Sequence, residues 1–478
     1  MFKPNSLALK PQYSGRLLPA WVIAVIAASV IGLIFLDSVF LIVALCVCLA
    51  AVMVFRFDVF FYAQIFLLPW YPLLDAKLPV RDVFLVMRFL LLAGVWIQRS
   101  QRGGPLAQWL MGSKIKKAIL LFTTIATVSL LVSALGPNTD AMRSLARWFS
   151  YLALFFAISG WLETKEQMQT IVKVILCSGI VVALFGFYQV LAKGYSDLYY
   201  HLYPLQEDSL EEWNGRITSF LFHFNSLAGY LNLILPLSLA AMVLAKERWV
   251  RQAALACHSM ALAALYFTGS RGGLIAYAAM LLISMYFLRP RRTALFRVLL
   301  AMALAWAMVA LLELPSQIEA EGESRFQQID EFTSISRLAL WNAAGAMFVQ
   351  HPVLGVGYGN YRSLYSDYIP GAAPNQLDAH NLYLQVLSET GVIGFLAFFG
   401  VMAGLVTVAI KVARNSDPFY RLAGIAMGGA LVATLTHGMV DFLFNVSPQF
   451  GGLFWVMMGL GVVVYERCGT VANLTHST

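Results

Sequence analysis

Four side chains in this sequence have the types and placing needed to handle a phosphorylated substrate: Arg216 in NGRITSFLFHFN, Arg271 in FTGSRGG, Arg337 in SRLALW and His380 in LDAHNLYLQVLSETG. Each lies where a polar stretch meets an apolar run. A guanidinium is a planar fork that gives two parallel hydrogen bonds to phosphate oxygens and keeps its charge. Three of them, on three segments, suit a diphosphate or several phosphates. Gly269, Gly272 and Gly273 strip side chains from around Arg271, which would let backbone amides meet the same bulky anion. The plainer alternatives are a snorkelling side chain at Arg271 and an ordinary helix-surface charge at Arg337. His380, with an ordinary pKa of about 6.5, is the natural proton acceptor at neutral pH. Asn381 or Asp378 stands close by to hold the ring or a sugar. A lone histidine at a helix start is more often structural, and only the arginines around it favour chemistry.

The elements that must position these groups are membrane helices. Of the 478 residues 60% are hydrophobic and only 12% charged, and the mean hydropathy is +0.72. That leaves too little polar surface for a soluble fold. The apolar runs have the length a helix needs to cross a hydrocarbon core of about 30 Å, and alternating strands of barrel length are absent. The expected class is an all-α, polytopic integral membrane protein of about 12 to 14 spans. Spans are expected near 18–36, 39–55, 59–75, 82–97, 118–135, 147–162 and 170–192, then 226–245, 252–268, 272–288, 297–314, 392–411, 422–443 and 450–465. The third is interrupted near Pro69 and Pro72, and the fourth carries Arg81, Asp82 and Arg88. The N-terminal run shows no convincing cleavage site and reads as span one.

Basic residues cluster in alternate loops, among them Arg99, Arg102 and Lys114 to Lys117, Lys246 to Arg251, Arg289 to Arg297, and Lys411 to Arg421. Those loops are expected in the cytoplasm. The intervening loops are acidic and face outward. The net charge of +8 is therefore topogenic and calls for no nucleic acid. All five cysteines fall in spans or in the C-terminal tail, so no outer loop can close a disulfide. The outer loops also lack a His/Asp/Glu cluster with metal-ligand spacing.

Five regions follow: an N-terminal bundle at 1–192, an outer loop at 193–225, helices with the TGSRGG junction at 226–314, a large outer loop at 315–391, and C-terminal helices with a cytoplasmic tail at 392–478. In the large loop Leu338, Trp341, Ala344 and Phe348 recur at helical spacing, which predicts an amphipathic helix on the outer surface. His351 and Pro352 stop it, and Gly355, Gly357 and Gly359 make a turn. That GxGxG string lacks the preceding strand a nucleotide site requires. A transporter is the competing class, because Arg81, Asp82, Arg88, His437 and Asp441 lie in or near spans. No inverted repeat or matched pair of broken helices supports it. Asp441 is equally open to pairing with an arginine near the outer surface.

The order TGSRGG at an outer junction, R-x-x-x-W followed by HPVLGVGYGNY, and HNLYLQVLSETGVIGF entering the next span resembles the O-antigen ligase and polymerase superfamily over roughly residues 210–445. The resemblance implies a glycosyltransferase that takes an undecaprenyl-diphosphate-linked glycan in the outer leaflet, without nucleotide sugar, metal or other cofactor. It implies a multi-pass protein of the bacterial inner membrane with its active site toward the periplasm or exterior. It assigns Arg271 and Arg337 to the diphosphate and His380 to catalysis, with Arg216 and Asn225 on a weaker pattern and Trp341 in the R-x-x-x-W motif. A ligase passes the glycan to lipid A core, a polymerase to another lipid-linked repeat, and related enzymes to a protein hydroxyl. Ligase is the reading preferred here.

Overall fold

The computed structural model describes residues 52–53, 56–71, 83–133, 135–191, 216–221, 223–288, 292–317, 331–369 and 377–475, and among them every regular element is a helix. The expected spans at 18–36 and 39–55 lie outside the described residues apart from Val52 and Met53, as do Arg81 and Asp82. The chain then runs through α1 (Phe57–Phe66), α2 (Val83–Gln101), α3 (Leu106–Met111), α4 (Lys114–Val132), α5 (Thr139–Trp161) and α6 (Lys165–Leu191). After α1 a short 3-10 turn, Leu68–Trp70, follows, so the interruption expected at Pro69 is present. Next come α7 (Phe224–Leu244), α8 (Arg248–Phe267), α9 (Arg271–Leu288), α10 (Arg292–Gln317), α11 (Glu331–Gln350) and α12 (Tyr361–Leu364). The last are α13 (Leu382–Ala413), α14 (Pro418–His437), α15 (Leu443–Val446) and α16 (Pro448–Thr475).

Among the described residues seven helices, α4, α6, α7, α9, α13, α14 and the first part of α16, are long and apolar enough to cross a membrane. Two shorter apolar stretches, α1 and Phe296–Leu312 inside α10, add to them. The protein is thus all-α and polytopic. α7 is its central post, buried without a break from Asn225 to Met242 and packed by α14, α8 and α9. A helix that is apolar on every side belongs in such an interior. α5 starts before the expected 147 because Asn138 caps it, accepting a hydrogen bond from the Ala141 amide, while Arg143 and Arg147 lower the hydropathy of its first turns.

Ion pairs gather the basic loops at one end of the bundle: Lys116 with Glu466, Lys165 with Asp417 and Lys173 with Glu247. Asn225, Arg271 and Asn381 lie at the other helix ends.

α11 is helical as expected, but its buried stripe is Leu340, Ala343, Ala344 and Met347, whereas Leu338 is 57% exposed. Both faces of α11 are apolar. Packing against Val356, Tyr361, Tyr365 and Ala379 selects one of them, which spacing alone could not do. The glycine turn is real: Gly355, Gly357 and Gly359 all have positive φ, and the Val356 and Gly357 amides donate to the Ser388 and Glu389 carbonyls of α13. α13 begins before the expected 392 and is broken at Gly391 (φ 63°), where a side chain would strike the Val353 carbonyl. The freed amide of Val392 donates to Pro352 O at 2.8 Å. The loop at 352–359 is thereby locked to the helix that starts beside His380.

Candidate active site

α8 ends at Phe267, and Gly269 at φ +62° turns the chain back. Ser270 then starts α9, its hydroxyl accepting from the Gly273 amide at 3.2 Å, which makes Arg271 the first residue of that helix. The Ser270 hydroxyl also donates to Asn225 Oδ1 at 2.8 Å, so Asn225 ties the first turn of α7 to the junction. Arg216 is held over the same turn. Its Nε donates to Thr268 O at 2.7 Å, and its guanidinium carbon stacks 3.3 Å from the Phe224 ring centre. A Cβ on Gly269 would lie 3.0 Å from that Nε. The other two glycines are filled differently from the expectation. His437 and Val440 occupy the space over Gly272, and Ala228 packs on Gly273, so these positions admit neighbouring helices rather than a ligand.

Arg271 and Arg337 both act on Arg216. Burial, then the charges of Arg337 on α11 and of Arg271, push the Arg216 pKa down to about 10. Arg337 and Arg271 each disfavour the charge on Arg216, a cost that a bound polyanion would offset.

His380 stands at φ +46°, in the left-handed region, directly before the cap of α13. Asn381 is that cap. Its side chain accepts from the Tyr383 and Leu384 amides, each at 3.0 Å, and donates to Met439 O at 2.9 Å. The hydrogen bond on the His380 ring comes from neither Asn381 nor Asp378. Nδ1 meets Asp441 Oδ1 at 3.1 Å, and Oδ1 also accepts from the Phe442 amide at 2.8 Å. The carboxylate side chain is 3% exposed and the imidazole 25%, so the acid is inside and the ring reaches the surface. With Nδ1–H turned to a carboxylate, the lone pair of neutral His380 is on Nε2.

The electrostatics fit a working pair. Burial favours a neutral ring, but the hydrogen bond and charge of Asp441 outweigh it and raise the His380 pKa above the ordinary value, with Arg337 pulling back and Asp378 adding to the rise. Burial would raise the Asp441 pKa, yet His380 holds it below the usual carboxylate range. His223, which caps α7, is driven down to about 4 chiefly by burial, against the pull of Asp441 and with further lowering from His380, Arg216 and Arg337. It is neutral at pH 7.

Asp378 is buried and paired with Arg362, whose Nε donates to Oδ1 at 2.8 Å, and it accepts from Asn445 Nδ2 at 3.2 Å. Trp341 lies one turn beyond Arg337 on α11, its indole N–H buried and without a hydrogen-bond partner. Arg216 thus feels the charges of both Arg271 and Arg337, and Arg337 also acts on His380, while Asn225, Asn381 and Asp378 hold the scaffold. The group that sequence reasoning left without a role is Asp441. Its signal was THGMVDF, a histidine and an aspartate four residues apart at the end of an apolar span. Among the described residues no group of three or more His, Cys, Asp or Glu side chains is arranged to hold a metal ion.

Residues 255–399 match the O-antigen ligase family model. The chain is also 24% identical, over 362 residues, to the teichuronic acid biosynthesis protein TuaE of Bacillus subtilis strain 168, an alignment covering 72% of this chain and 70% of that protein. The family match takes in Arg271, Arg337 and His380 and leaves out Arg216 and Asp441. The resemblance read from the sequence is thereby borne out as a likeness: residues 255–399 of this polytopic, all-helical membrane protein are similar to the O-antigen ligase family.

Proposed function

We propose that this chain moves a glycan from an undecaprenyl diphosphate carrier to an acceptor hydroxyl at the outer face of the bacterial inner membrane, with lipid A core as the acceptor. The observation that carries the reading is the His380–Asp441 pair together with Arg337, which acts on His380 and, like Arg271, on Arg216. The acceptor hydroxyl gives its proton to His380 Nε2 as its oxygen bonds to the anomeric carbon. The bond from that carbon to the diphosphate breaks, and its electron pair leaves on a phosphate oxygen. Arg271 and Arg337, with Arg216 behind them, meet the growing negative charge in a prearranged cradle. Asp441 offsets the charge of the protonated ring, which later sheds its proton to solvent.

The test is donor dependence in detergent. Purified protein given lipid-linked glycan and acceptor should release undecaprenyl diphosphate with no ion gradient, which a transporter would not do. EDTA should leave that release unchanged; its loss on EDTA and return with magnesium or manganese would overturn the arginine-only scheme.

A second acceptor is favoured by the likeness to TuaE, whose name concerns teichuronic acid and not lipid A. Growth of a chain on another lipid-linked repeat needs the same diphosphate cradle. Expression in strains lacking either a ligase or a polymerase separates the two: long chains on lipid A indicate ligation, and a restored ladder of free chains indicates polymerisation.

Sidedness has its own check. Tags after Lys246 should report the cytoplasm and tags near Ala372 the exterior. A cytoplasmic report from the second tag would remove the donor from reach and end the scheme.

A further inference from the structure

We propose that Arg88 of α2 and Arg147 of α5 are positioning residues that hold the Asp441 segment against His380. This rests on the reading of His380 and Asp441 as the proton-transfer pair.

Two segments run side by side in opposite directions. Leu382 N donates to Gly438 O at 2.7 Å, Asn381 Nδ2 to Met439 O at 2.9 Å, and Asn445 Nδ2 to Asp378 Oδ1 at 3.2 Å, with the His380–Asp441 contact between them. The second segment, 438–447, is a break between α14 and α16 that contains only the single turn of α15. Such a break exposes carbonyl oxygens that must find donors. They find them on α2 and α5. Tyr151 OH donates to Phe444 O at 2.7 Å, Arg147 Nη1 to Asn445 O at 2.9 Å, and Arg88 Nη2 to Pro448 O at 3.3 Å. Ser144 adds a hydrogen bond to Asn445 Oδ1 at 3.0 Å.

Arg88 is 2% exposed, and a cation at that burial needs a reason. Its Nη1 donates to Ser150 at 2.9 Å, and its guanidinium carbon lies 5.3 Å from the Tyr71 ring centre and 5.6 Å from that of Tyr151. Among the described residues neither guanidinium has an ion-pair partner. Both are spent on carbonyl oxygens at the C-terminal, negative end of α15 and the start of α16. Room for the clamp is built into α16. A Cβ on Gly451 would lie 2.5 Å from the Tyr151 ring, and one on Gly452 would lie 3.0 Å from Arg88 Nη2. Half of the catalytic pair is therefore fixed by helices outside residues 255–399.

The test reads the His380 protonation midpoint directly, by pH-dependent modification with diethyl pyrocarbonate and peptide mass spectrometry on the purified full chain. His380 faces Asp441, Asp378 on its own segment and Arg337 from α11, while Asp441 also faces His437 and His223. The clamp variants change only the first of these contacts. Asp441→Asn should lower the midpoint by about 1 pH unit or more. Arg147→Gln and Arg88→Gln should each move it part of that way, and Arg147→Lys should restore most of the wild-type value. Tyr151→Phe, which removes one hydroxyl and keeps the ring, serves if a glutamine variant fails to fold; it should shift the midpoint in the same direction. Unchanged midpoints in folded variants would overturn the proposal. Because this readout needs no turnover, a shifted midpoint in protein whose wild-type form releases no undecaprenyl diphosphate would sink the proposed function and leave the clamp standing.

Discussion

Replacing His380 by alanine should cut transfer by about 10²- to 10⁴-fold, the usual contribution of a general base, while donor binding persists. The separation is expected because the cradle is built elsewhere, with Arg271 on α9, Arg216 before α7 and Arg337 on α11. The pH dependence adds a second signature. A base must be neutral, and Asp441 raises the His380 pKa, so kcat/KM should climb with pH through a limb lying above the ordinary histidine value and then level off. Asp441→Asn removes the group that favours the charged ring. Its limb should move to lower pH, and its plateau should fall because the tautomer and the forming charge lose their support. Radiolabelled donor in detergent measures both binding and release. Wild-type turnover in folded His380→Ala protein would leave His380 as a helix-start residue and put the base elsewhere.

What the sequence disclosed is what local pattern encodes. Apolar length marks helices, so α7 and α9 fall close to their expected places, while α14 ends at His437, short of the expected 443. Glycine and proline mark turns, so the Pro69 interruption and the Gly355–Gly359 turn were legible. Contact partners are another matter. Nothing near His380 in the chain says that its ring will meet Asp441, 61 residues on, because that contact is set by how α13 and α14 pack. Asp378 and Asn381, the near neighbours, are taken up by Arg362 and by the helix cap. The same limit misled the reading of TGSRGG. A glycine cluster announces close approach without saying by what, and here His437, Val440 and Ala228 take the room expected for an anion. The face of α11 was misplaced for a related reason, since two apolar stripes share that helix and only its neighbours choose between them.

The arginine cradle predicts a loss of comparable size with an unusual companion. Arg271→Ala should lower transfer by about 10²- to 10³-fold, the range for removing one prearranged donor from a developing oxyanion. Arg271→Lys keeps the charge but not the planar fork, and it should fall between that and wild type. Equal activity in the lysine variant would mean that charge alone serves and that bidentate contact with phosphate plays no part. The companion effect concerns stability. Arg337 and Arg271 both depress the Arg216 pKa, so the cluster is self-repelling before a polyanion arrives. Arg337→Ala should therefore weaken donor binding without lowering the melting temperature of donor-free protein, and the donor should stabilise wild type more than the variant. A residue kept only to hold α11 in place would show the reverse, a lower melting temperature and an unchanged response to donor. Raised ionic strength supplies an independent reading. Arg271 is exposed and Arg337 half-buried, so salt should weaken the donor's hold on the cradle, whereas the contact of His380 with the buried Asp441 carboxylate should keep its midpoint better.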